Sequence, residues 1–173
     1  MSKTTENLKT AFAGESQARN KYAYFAEVAR KEGYHYIAKI FEETAANEMS
    51  HAKDEFTLLG GIGETAANLQ EGINGENYEA TEMYPQFAKD ADEEGNKAAA
   101  NLFRMIAKVE THHRERYKKL LEMVKNGTVF KRETPIKWKC DTCGYIHEGK
   151  TPPPQCPCCK QPREFFEPAD LDI

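Results

Sequence analysis

The sequence lacks the features expected of a membrane or secreted protein. No apolar run approaches the roughly 18–20 residues of a membrane-spanning helix, and residues 1–6 have no apolar segment of the kind found in secretory signals. There is no cysteine before Cys140, and the five cysteines from Cys140 onward have the spacing of metal ligands rather than of disulfides. A cytoplasmic protein without a membrane partner is therefore predicted.

Positive charge is neither abundant nor clustered. The 24 Lys and Arg residues are outnumbered by 28 Asp and Glu residues, which gives a formal net charge of −4. A nucleic-acid-binding protein needs a clustered basic surface, so no nucleic acid partner is expected. The chain also has no glycine fingerprint for binding a dinucleotide. Its 173 residues suffice for one well-buried core and a small appended module.

What the chain does contain is an internal repeat before Gly127. One constant shift along the chain aligns Tyr22 with Tyr84, Phe25 with Phe87, Gly33 with Gly95, and Phe41 with Phe103. A shift that is shorter by a single position aligns Gly14-Glu15 with Gly75-Glu76. Both halves carry apolar residues at spacings of three and four, which is the period of a helix face. The repeat therefore predicts a duplicated two-helix unit.

Glycines and a proline set the predicted helix boundaries. The first helix is expected to stop near Gly33 and the second before Gly60, because glycine is typical of helix C-termini. Residues 62–74 are then predicted to form a longer connection. The third helix is predicted to run from about 75 to 93 and to bend at Pro85, which removes a backbone hydrogen bond.

Acidic residues and histidines lie on the inward-facing stripes of these helices. Each half has one early glutamate and one late Glu-x-x-His pair: Glu15 with Glu48 and His51, and Glu76 with Glu110 and His113. Burying unpaired carboxylates costs several kcal/mol each, which a domain stable by only ~5–15 kcal/mol does not tolerate. Cations must therefore be bound. Oxygen ligands with two imidazoles suit Fe or Mn, and this ligand pattern is that of ferritin-like carboxylate proteins. A dinuclear metal site is predicted.

The third helix adds an acidic residue that the first half lacks. Glu79 follows Glu76 at i+3 on nearly the same face, so it is predicted to give one metal an extra carboxylate. Tyr22 and Tyr84 lie about two turns from Glu15 and Glu76 on the same stripes. Either they are core aromatics, or each phenol is hydrogen-bonded to a ligand carboxylate and orients it. The occurrence of tyrosine in both halves favours the second interpretation.

The cysteines form a two-knuckle motif that predicts a tetrathiolate metal site. Its predicted ligands are Cys140, Cys143, Cys156 and Cys159, while Cys158 is interpreted as a free thiol. Such spacing binds Zn or Fe tetrahedrally. A structural zinc ribbon is the alternative, but a redox-capable dinuclear site in the same chain favours iron. The small core of this module is predicted to consist of Trp138, Tyr145, Phe165 and Phe166.

These motifs together resemble the rubrerythrin family over essentially the whole chain. The resemblance is carried by residues 12–19, 48–52, 75–79, 83–85 and 110–113 and by both cysteine knuckles. It implies a mainly α fold, with a ferritin-like four-helix bundle over residues 1–127 and a linker over 128–137. A small, mostly irregular or β, rubredoxin-like metal-binding domain is implied for residues 138–173.

The resemblance also implies a set of metal ions and their ligands. Two non-haem irons are implied, with these ligands in the oxidised state: Glu15, Glu48, Glu76, Glu79, Glu110 and His113. On reduction one iron is expected to exchange Glu79 for His51. A third, mononuclear iron is implied at the four cysteines, where zinc is possible by substitution.

The activity implied by the resemblance is that of a peroxidase of the NADH-peroxidase type, which protects against oxidative stress. Hydrogen peroxide would be reduced to water with electrons relayed through the rubredoxin-like iron. The external donor would be rubredoxin or an NAD(P)H-dependent reductase, and because the chain lacks a dinucleotide fingerprint a separate reductase is required. Family members form homodimers in which the rubredoxin-like centre of one subunit serves the di-iron site of the other.

One residue is given a proton-transfer role, and two other functions stay open. We take Glu79, if it is displaced from the reduced metal, as the candidate that protonates the leaving oxygen. The first alternative function is a ferroxidase or iron-handling protein that uses the same helical domain. The second is an electron-transfer protein in which that domain is only a scaffold.

Overall fold

The computed structural model describes residues 2–170 and divides the chain into two compact units, Met1–Gly63 and Glu64–Ile173. The helices are α1 (Lys3–Lys31), α2 (His35–Leu58), α3 (Thr65–Tyr78), α4 (Tyr84–Glu93) and α5 (Lys97–Lys125). A π-helical turn, Glu79–Met83, joins α3 to α4 in one continuous helical segment. Three strands follow, β1 (Ile136–Cys140), β2 (Ile146–Gly149) and β3 (Phe166–Pro168). Four helical segments before a small sheet that carries the cysteines confirm the predicted fold class.

The first unit is an antiparallel pair of helices that meet through small side chains. Ala26, Ala29 and Ala38 are buried, and Phe41 packs against them. Alanines at these positions let the two helix backbones approach closely. The α1 helix ends where predicted: Gly33 takes a φ of +84°, and the Tyr34 N–H donates to the Ala29 carbonyl at 2.8 Å. This left-handed closure is typical of a glycine-terminated helix.

The second unit repeats this turn between α4 and α5. Gly95 takes a φ of +75°, and the Asn96 N–H donates to the Ala91 carbonyl at 2.8 Å. The Asn96 side chain also caps α5, since its Oδ1 accepts from the Ala99 N–H at 3.1 Å. The alanines buried here are Ala88, Ala91 and Ala100. The internal repeat is therefore visible in the structure as two similar helical hairpins.

The start of the third helix was wrongly predicted. Most of the residues assigned to a connection, 65–74, belong to α3. Glycines and asparagines in this segment made it resemble a loop, yet Ile73 is buried and Leu69 is half-buried at helical spacing. A Cβ on Gly72 would lie 3.1 Å from Cδ2 of Tyr117 in α5. The glycine thus allows a close approach between the two helices. The packing gained there outweighs the cost of a glycine in a helix, which is about 1 kcal/mol relative to alanine.

The π-helical turn explains why the internal repeat needs two different shifts. Glu15 and Glu76 precede the turn and align with the shorter shift, whereas Tyr22 and Tyr84 align with the longer one, and Tyr84 follows the turn. The extra residue of the second half therefore lies within Glu79–Met83, where a π-turn accommodates it. Pro85 follows directly, at the start of α4. Its missing N–H is thus tolerated at a place where the regular helical hydrogen bonding is already interrupted.

The C-terminal part of the second unit is a three-stranded antiparallel sheet in the order β2-β1-β3. Trp138, Cys140, Cys156 and Phe166 form its buried core, and the Trp138 Nε1–H donates to the Gly149 carbonyl at 2.9 Å. The prediction that Tyr145 and Phe165 belong to this core was wrong, because their exposed fractions are 36% and 42%. The two cysteine knuckles take up the interior space, so little room is left for further aromatic rings.

Candidate metal centres

The first carboxylate cluster, formed by Glu15, Glu48 and His51, lies between α1 and α2. The His51 Nδ1 lies 2.9 Å from a Glu48 oxygen and 3.7 Å from a Glu15 oxygen. One ligand atom from each residue falls within 4.8 Å of the others. The two glutamates are half-buried, while His51 is exposed. Helical spacing brings the Glu48/His51 pair to one face of α2, and the antiparallel α1 adds Glu15.

Protonation equilibria in this cluster are shifted by the close packing of its ionisable side chains around Glu48. The hydrogen bond and charge of Glu48, together with burial, raise the pKa of Glu15 above its ordinary value. The pKa of His51 is also raised, chiefly because its ring is hydrogen-bonded to Glu48. Without a metal, these groups therefore keep their protons to a higher pH than isolated side chains do, and a bound cation would compete with those protons.

The second carboxylate cluster, formed by Glu76, Glu110 and His113, has the same geometry in the second unit. The His113 Nδ1 lies 2.7 Å from a Glu110 oxygen and 3.5 Å from a Glu76 oxygen. The three ligand atoms again fall within 4.8 Å of one another, and all three residues are half-buried. Burial, followed by the hydrogen bond with Glu110, raises the pKa of Glu76.

Glu79 is placed beside the second cluster rather than within it. It begins the π-helical turn, is half-buried, and does not belong to the group of mutually close ligand atoms. Its charge nevertheless contributes to the raised pKa of Glu76. Burial and then the charge of Glu79 also raise the pKa of Tyr84. Glu79 therefore lies close enough to both residues to interact with them electrostatically.

The two tyrosines occupy equivalent aromatic clusters. Tyr22 packs with Phe25 and Phe41, and Tyr84 packs with Phe87 and Phe103, at ring-centroid distances of 5.6–6.3 Å within the two clusters. Among residues 2–170 neither phenol is hydrogen-bonded to a carboxylate. Their role in orienting metal ligands stays a prediction.

The four predicted cysteine ligands converge between the two knuckles. The Cys140 and Cys159 sulfurs lie 3.6 Å apart, and those of Cys143 and Cys156 lie 3.7 Å apart. A tetrahedral metal with metal–sulfur bonds of about 2.3 Å requires sulfur–sulfur distances of about 3.8 Å. The sulfur spacing therefore fits one tetrahedral ion. Cys158 is exposed and outside this group.

The four thiols hold their protons unequally. Burial opposes ionisation of Cys156, but the backbone N–H groups of Cys159 and Cys158 outweigh it and lower the pKa of Cys156 to about 7. For Cys143, the backbone N–H of Tyr145 lowers the pKa, but burial and the neighbouring sulfurs outweigh it and raise the pKa to about 12. Because a metal binds thiolates, its binding must release the protons held by thiols such as Cys143.

Comparison with known proteins gives a match for both parts of the chain. The Rubrerythrin family model matches residues 6–121, and the model of the rubrerythrin rubredoxin-like domain matches residues 138–167. The chain belongs to the rubrerythrin family. Members of this family combine a ferritin-like di-iron domain with a rubredoxin-like domain and are, in general, oxidoreductases.

Several rubrerythrins are similar over nearly the full chain. The rubrerythrin of Porphyromonas gingivalis is 49% identical over 96% of this chain and 90% of its own length. That of Nitratidesulfovibrio vulgaris is 45% identical, over 96% and 94% respectively. A putative rubrerythrin of Methanocaldococcus jannaschii is 45% identical, over 96% and 93%. A solved structure of nigerythrin in a partially reduced state is 36% identical over 97% of this chain and 87% of its own, with a TM-score of 0.38.

The donor atoms fit the metals expected in a rubrerythrin. Each carboxylate cluster offers hard oxygen ligands with one imidazole, a set that suits Fe or Mn, and the four thiolates suit Fe or Zn. The pKa of Glu15 is raised chiefly by its hydrogen bond with Glu48 and that of Glu76 chiefly by burial, and in both the charge of the neighbouring glutamate adds to the effect, so a bound cation would relieve an unfavourable charge. The chain is therefore a metal-binding protein with candidate sites of two chemically different kinds.

One polar residue of the first unit was not singled out from the sequence. A Glu55 side-chain oxygen is buried and has no hydrogen-bond partner within residues 2–170. Its charge adds to the raised pKa of Glu15. Because Glu55 follows His51 by one helical turn, its position on the same helix face was available as a signal.

Proposed function

We propose that this member of the rubrerythrin family is a non-haem di-iron peroxidase that reduces hydrogen peroxide to water and so protects against oxidative stress. The observation that carries the proposal is the presence, in one chain, of two carboxylate–histidine clusters and a tetrathiolate site. Both ligand types suit iron. A protein that only stored iron would have no evident need for a tetrathiolate site.

The proposed di-iron ligands in the oxidised state are Glu15, Glu48, Glu76, Glu79, Glu110 and His113. His51 replaces Glu79 on reduction, and Cys140, Cys143, Cys156 and Cys159 hold the third iron. The position of Glu79 beside, rather than within, the second cluster supports a ligand that exchanges. The π-helical turn supports the same assignment, since a residue at its start is less constrained by regular helical hydrogen bonds.

The chain's own residues would bind the metals, orient the metal ligands and supply protons. Iron held by the carboxylate clusters would supply the electrons that reduce peroxide, and iron held by the four cysteines would supply replacement electrons one at a time to that site. Glu79 is the residue proposed to supply a proton to the leaving oxygen, because it is half-buried and lies beside the second carboxylate cluster. Tyr84 is proposed to orient this group of carboxylates, with Tyr22 in the equivalent role in the first unit.

Further parts of the proposal concern partners and location. We propose a homodimer that receives electrons from rubredoxin or from an NAD(P)H-dependent reductase, since the chain has no dinucleotide-binding fingerprint. Among the described residues no helix is long and apolar enough to cross a membrane. The cytoplasmic location and the domain boundaries at residues 127 and 138 stay predictions.

The test is anaerobic stopped-flow mixing of the fully reduced, iron-loaded protein with stoichiometric peroxide, with oxygen as the parallel oxidant. The visible thiolate-to-iron absorption reports oxidation of the cysteine-bound iron. We expect this colour to return rapidly with peroxide and slowly with oxygen. If peroxide acts no faster than oxygen, the peroxidase proposal fails and the ferroxidase or iron-handling function takes its place.

The role of Glu79 is tested in the same experiment. Glu79→Ala with all irons retained should lose peroxide turnover. Glu82→Ala is the matched control, because Glu82 lies on the same π-helical turn but is exposed. Unchanged turnover in Glu79→Ala would remove Glu79 from the mechanism. If activity survives in variants without the carboxylate ligands, the helical domain is only a scaffold for electron transfer.

A further inference from the structure

The first cysteine knuckle shows the hydrogen bonding that such a turn requires. The Cys140 N–H donates to the Tyr145 carbonyl at 2.8 Å, and the Gly144 N–H donates to the Cys140 carbonyl at 2.8 Å. Gly144 takes a φ of +76°. Only this left-handed conformation closes the turn, and glycine adopts it without steric cost.

The second knuckle has the same geometry with a different residue at the corner. The Cys156 N–H donates to the Gln161 carbonyl at 2.8 Å, and the Lys160 N–H donates to the Cys156 carbonyl at 3.0 Å. Lys160 therefore occupies the position that Gly144 occupies in the first knuckle, with a φ of +65°. It is the one residue other than glycine with a positive φ among residues 2–170. This left-handed backbone conformation is strained for a lysine but not for a glycine.

Hydrogen bonds of both the backbone carbonyl and the side-chain ammonium hold Lys160 in this strained conformation. The Gln155 Nε2 donates to the Lys160 carbonyl at 3.0 Å. The Lys160 ammonium folds back and donates to the Pro157 carbonyl at 2.9 Å. Because Pro157 lies between the metal ligands Cys156 and Cys159, the positive charge is fixed over the second knuckle.

The charge of Lys160 is not cancelled by an acidic neighbour. No carboxylate within the described part of the chain forms an ion pair with it. Lys139, which precedes the ligand Cys140, differs in this respect, since it pairs with Glu167 at 2.7 Å. Lys160 is thus a fixed, uncompensated cation on the outer face of the tetrathiolate site.

We propose that Lys160 is a positioning residue whose ammonium raises the reduction potential of an iron bound by the four cysteines. The proposal rests on the part of the proposed function that places iron at this site, and not on peroxide reduction. Four thiolates outweigh the charge of ferric or ferrous iron, so the centre is anionic, and one-electron reduction makes it more so. A nearby cation therefore stabilises the reduced form more than the oxidised form.

The test compares charge at position 160 in the iron-loaded protein by mediated redox titration, monitored at the thiolate-to-iron absorption band. Lys160→Gln should shift the equilibrium toward the oxidised form about two- to fivefold at low salt, as expected for one partly solvated charge at short range. Lys160→Arg should leave it unchanged. Raising the salt concentration should reduce the difference between wild type and Lys160→Gln, since solvent-exposed charges are screened.

The Lys160→Gly variant separates the effect of the lysine charge from the effect of backbone strain. It should shift the redox equilibrium as Lys160→Gln does, while raising the melting temperature of the zinc-substituted protein, because the left-handed corner is relaxed. Lys150→Gln is the control for removing an exposed lysine elsewhere in the same sheet domain.

Several outcomes would overturn the proposal. An unchanged potential in Lys160→Gln would do so, and so would an equal shift in Lys150→Gln. A shift in Lys160→Gly alone would assign the effect to the backbone rather than to charge. Absence of the absorption band in wild-type protein would overturn both this proposal and the iron assignment. A protein with the expected redox shifts but no peroxide turnover would contradict only the peroxidase proposal.

Discussion

Each carboxylate cluster holds a histidine between two glutamates, and this arrangement couples metal binding to protons. The pKa values of Glu15 and Glu76 are raised by neighbouring glutamates and burial, and that of His51 by its hydrogen bond to Glu48. A group whose pKa is higher in the folded protein stabilises the fold below its unfolded pKa. That contribution is lost as the pH rises through the folded pKa. In the metal-free protein the contribution of the two glutamates is therefore lost as the pH rises above 4.5, and that of His51 as the pH rises above 6.5.

We predict that stabilisation by metal increases with pH. A bound cation takes the place of the protons on these groups, so the rise in melting temperature caused by Mn²⁺ should grow by several degrees between about pH 5 and pH 7.5. Parallel titrations with a pH indicator should detect proton release on binding. Glu27→Gln, a change at an exposed site outside the clusters, should leave the trend intact. A gain in melting temperature that is independent of pH would contradict the shifted pKa values.

The convergence of the candidate ligand residues into clusters was predictable from the sequence, whereas special backbone conformations were not. The Glu-x-x-His pairs combine a local spacing with a repeat, and both survive in any folded arrangement of the helices. The left-handed conformation of Lys160 depends on hydrogen bonds with Cys156 and Gln155, and a lysine, unlike the glycine at the equivalent position 144, does not itself indicate such a conformation. The exposure of Tyr145 was missed for a related reason, since the sulfurs themselves occupy the core.

At the scale of elements, the internal repeat contained more information than its helical pattern alone. The change of shift between Glu76 and Tyr84 corresponds to the π-helical turn at Glu79–Met83. The internal repeat shows that the second half has an extra residue between Glu76 and Tyr84. It does not show whether that residue is accommodated in a loop or in a π-helical turn. The beginning of α3 at Thr65 could not be inferred, because contact of Gly72 with Tyr117 overrides local propensity.

The two hairpins are stabilised by ion pairs of opposite polarity at equivalent positions. Arg30 of α1 pairs with Glu42 of α2, at distances of 2.6 and 3.1 Å. Asp92 of α4 pairs with Arg104 of α5. The shift that aligns the two tyrosines also aligns Arg30 with Asp92 and Glu42 with Arg104, so the charges are reversed between the halves. Pairing α1 with α5 would juxtapose two arginines, and pairing α2 with α4 would juxtapose two acids, so the reversal disfavours exchange between the halves.

We predict that Asp92→Arg/Arg104→Glu lowers refolding yield without lowering stability much. The double change keeps an ion pair within the second hairpin, so the unfolding free energy should change by less than about 1 kcal/mol, the usual range for exposed pairs. It also gives both halves the same polarity, which allows α1 to pair with α5. Refolding from guanidinium over a range of protein concentrations, followed by size-exclusion chromatography, would measure the misassembled fraction.

The matched control also reverses the ion pair of the first hairpin, between α1 and α2. Adding Arg30→Glu/Glu42→Arg to the double variant restores opposite polarities and should restore the yield. A single Arg104→Glu change places two acids together and should cost about 0.5–1 kcal/mol in stability. Equal refolding yields for all of these proteins would show that the reversed charges do not guide pairing.

At the scale of the whole molecule, the proposed activity needs electrons to pass between two kinds of metal site. If the chain forms a homodimer in which the cysteine-bound iron of one subunit serves the carboxylate-bound irons of the other, two inactive variants should complement each other. Cys143→Ser removes one thiolate ligand, and Glu110→Ala removes one carboxylate ligand. Each variant alone should lose turnover in an assay that supplies electrons through the cysteine-bound iron.

We predict that co-expression of these two variants restores peroxide turnover. With random pairing, half of the dimers contain one chain of each kind, and each such dimer holds one productive combination, so activity should reach about a quarter of the wild-type value. Differently tagged chains, purified through both tags, would give the mixed dimer alone and raise this to about half. Cys158→Ser in place of Cys143→Ser is the control, since Cys158 is exposed and outside the sulfur cluster and the Cys158→Ser variant should keep its turnover without a partner variant. An inactive mixed dimer would mean that electrons pass within one subunit, whereas a monomeric protein with full activity would exclude transfer between subunits altogether.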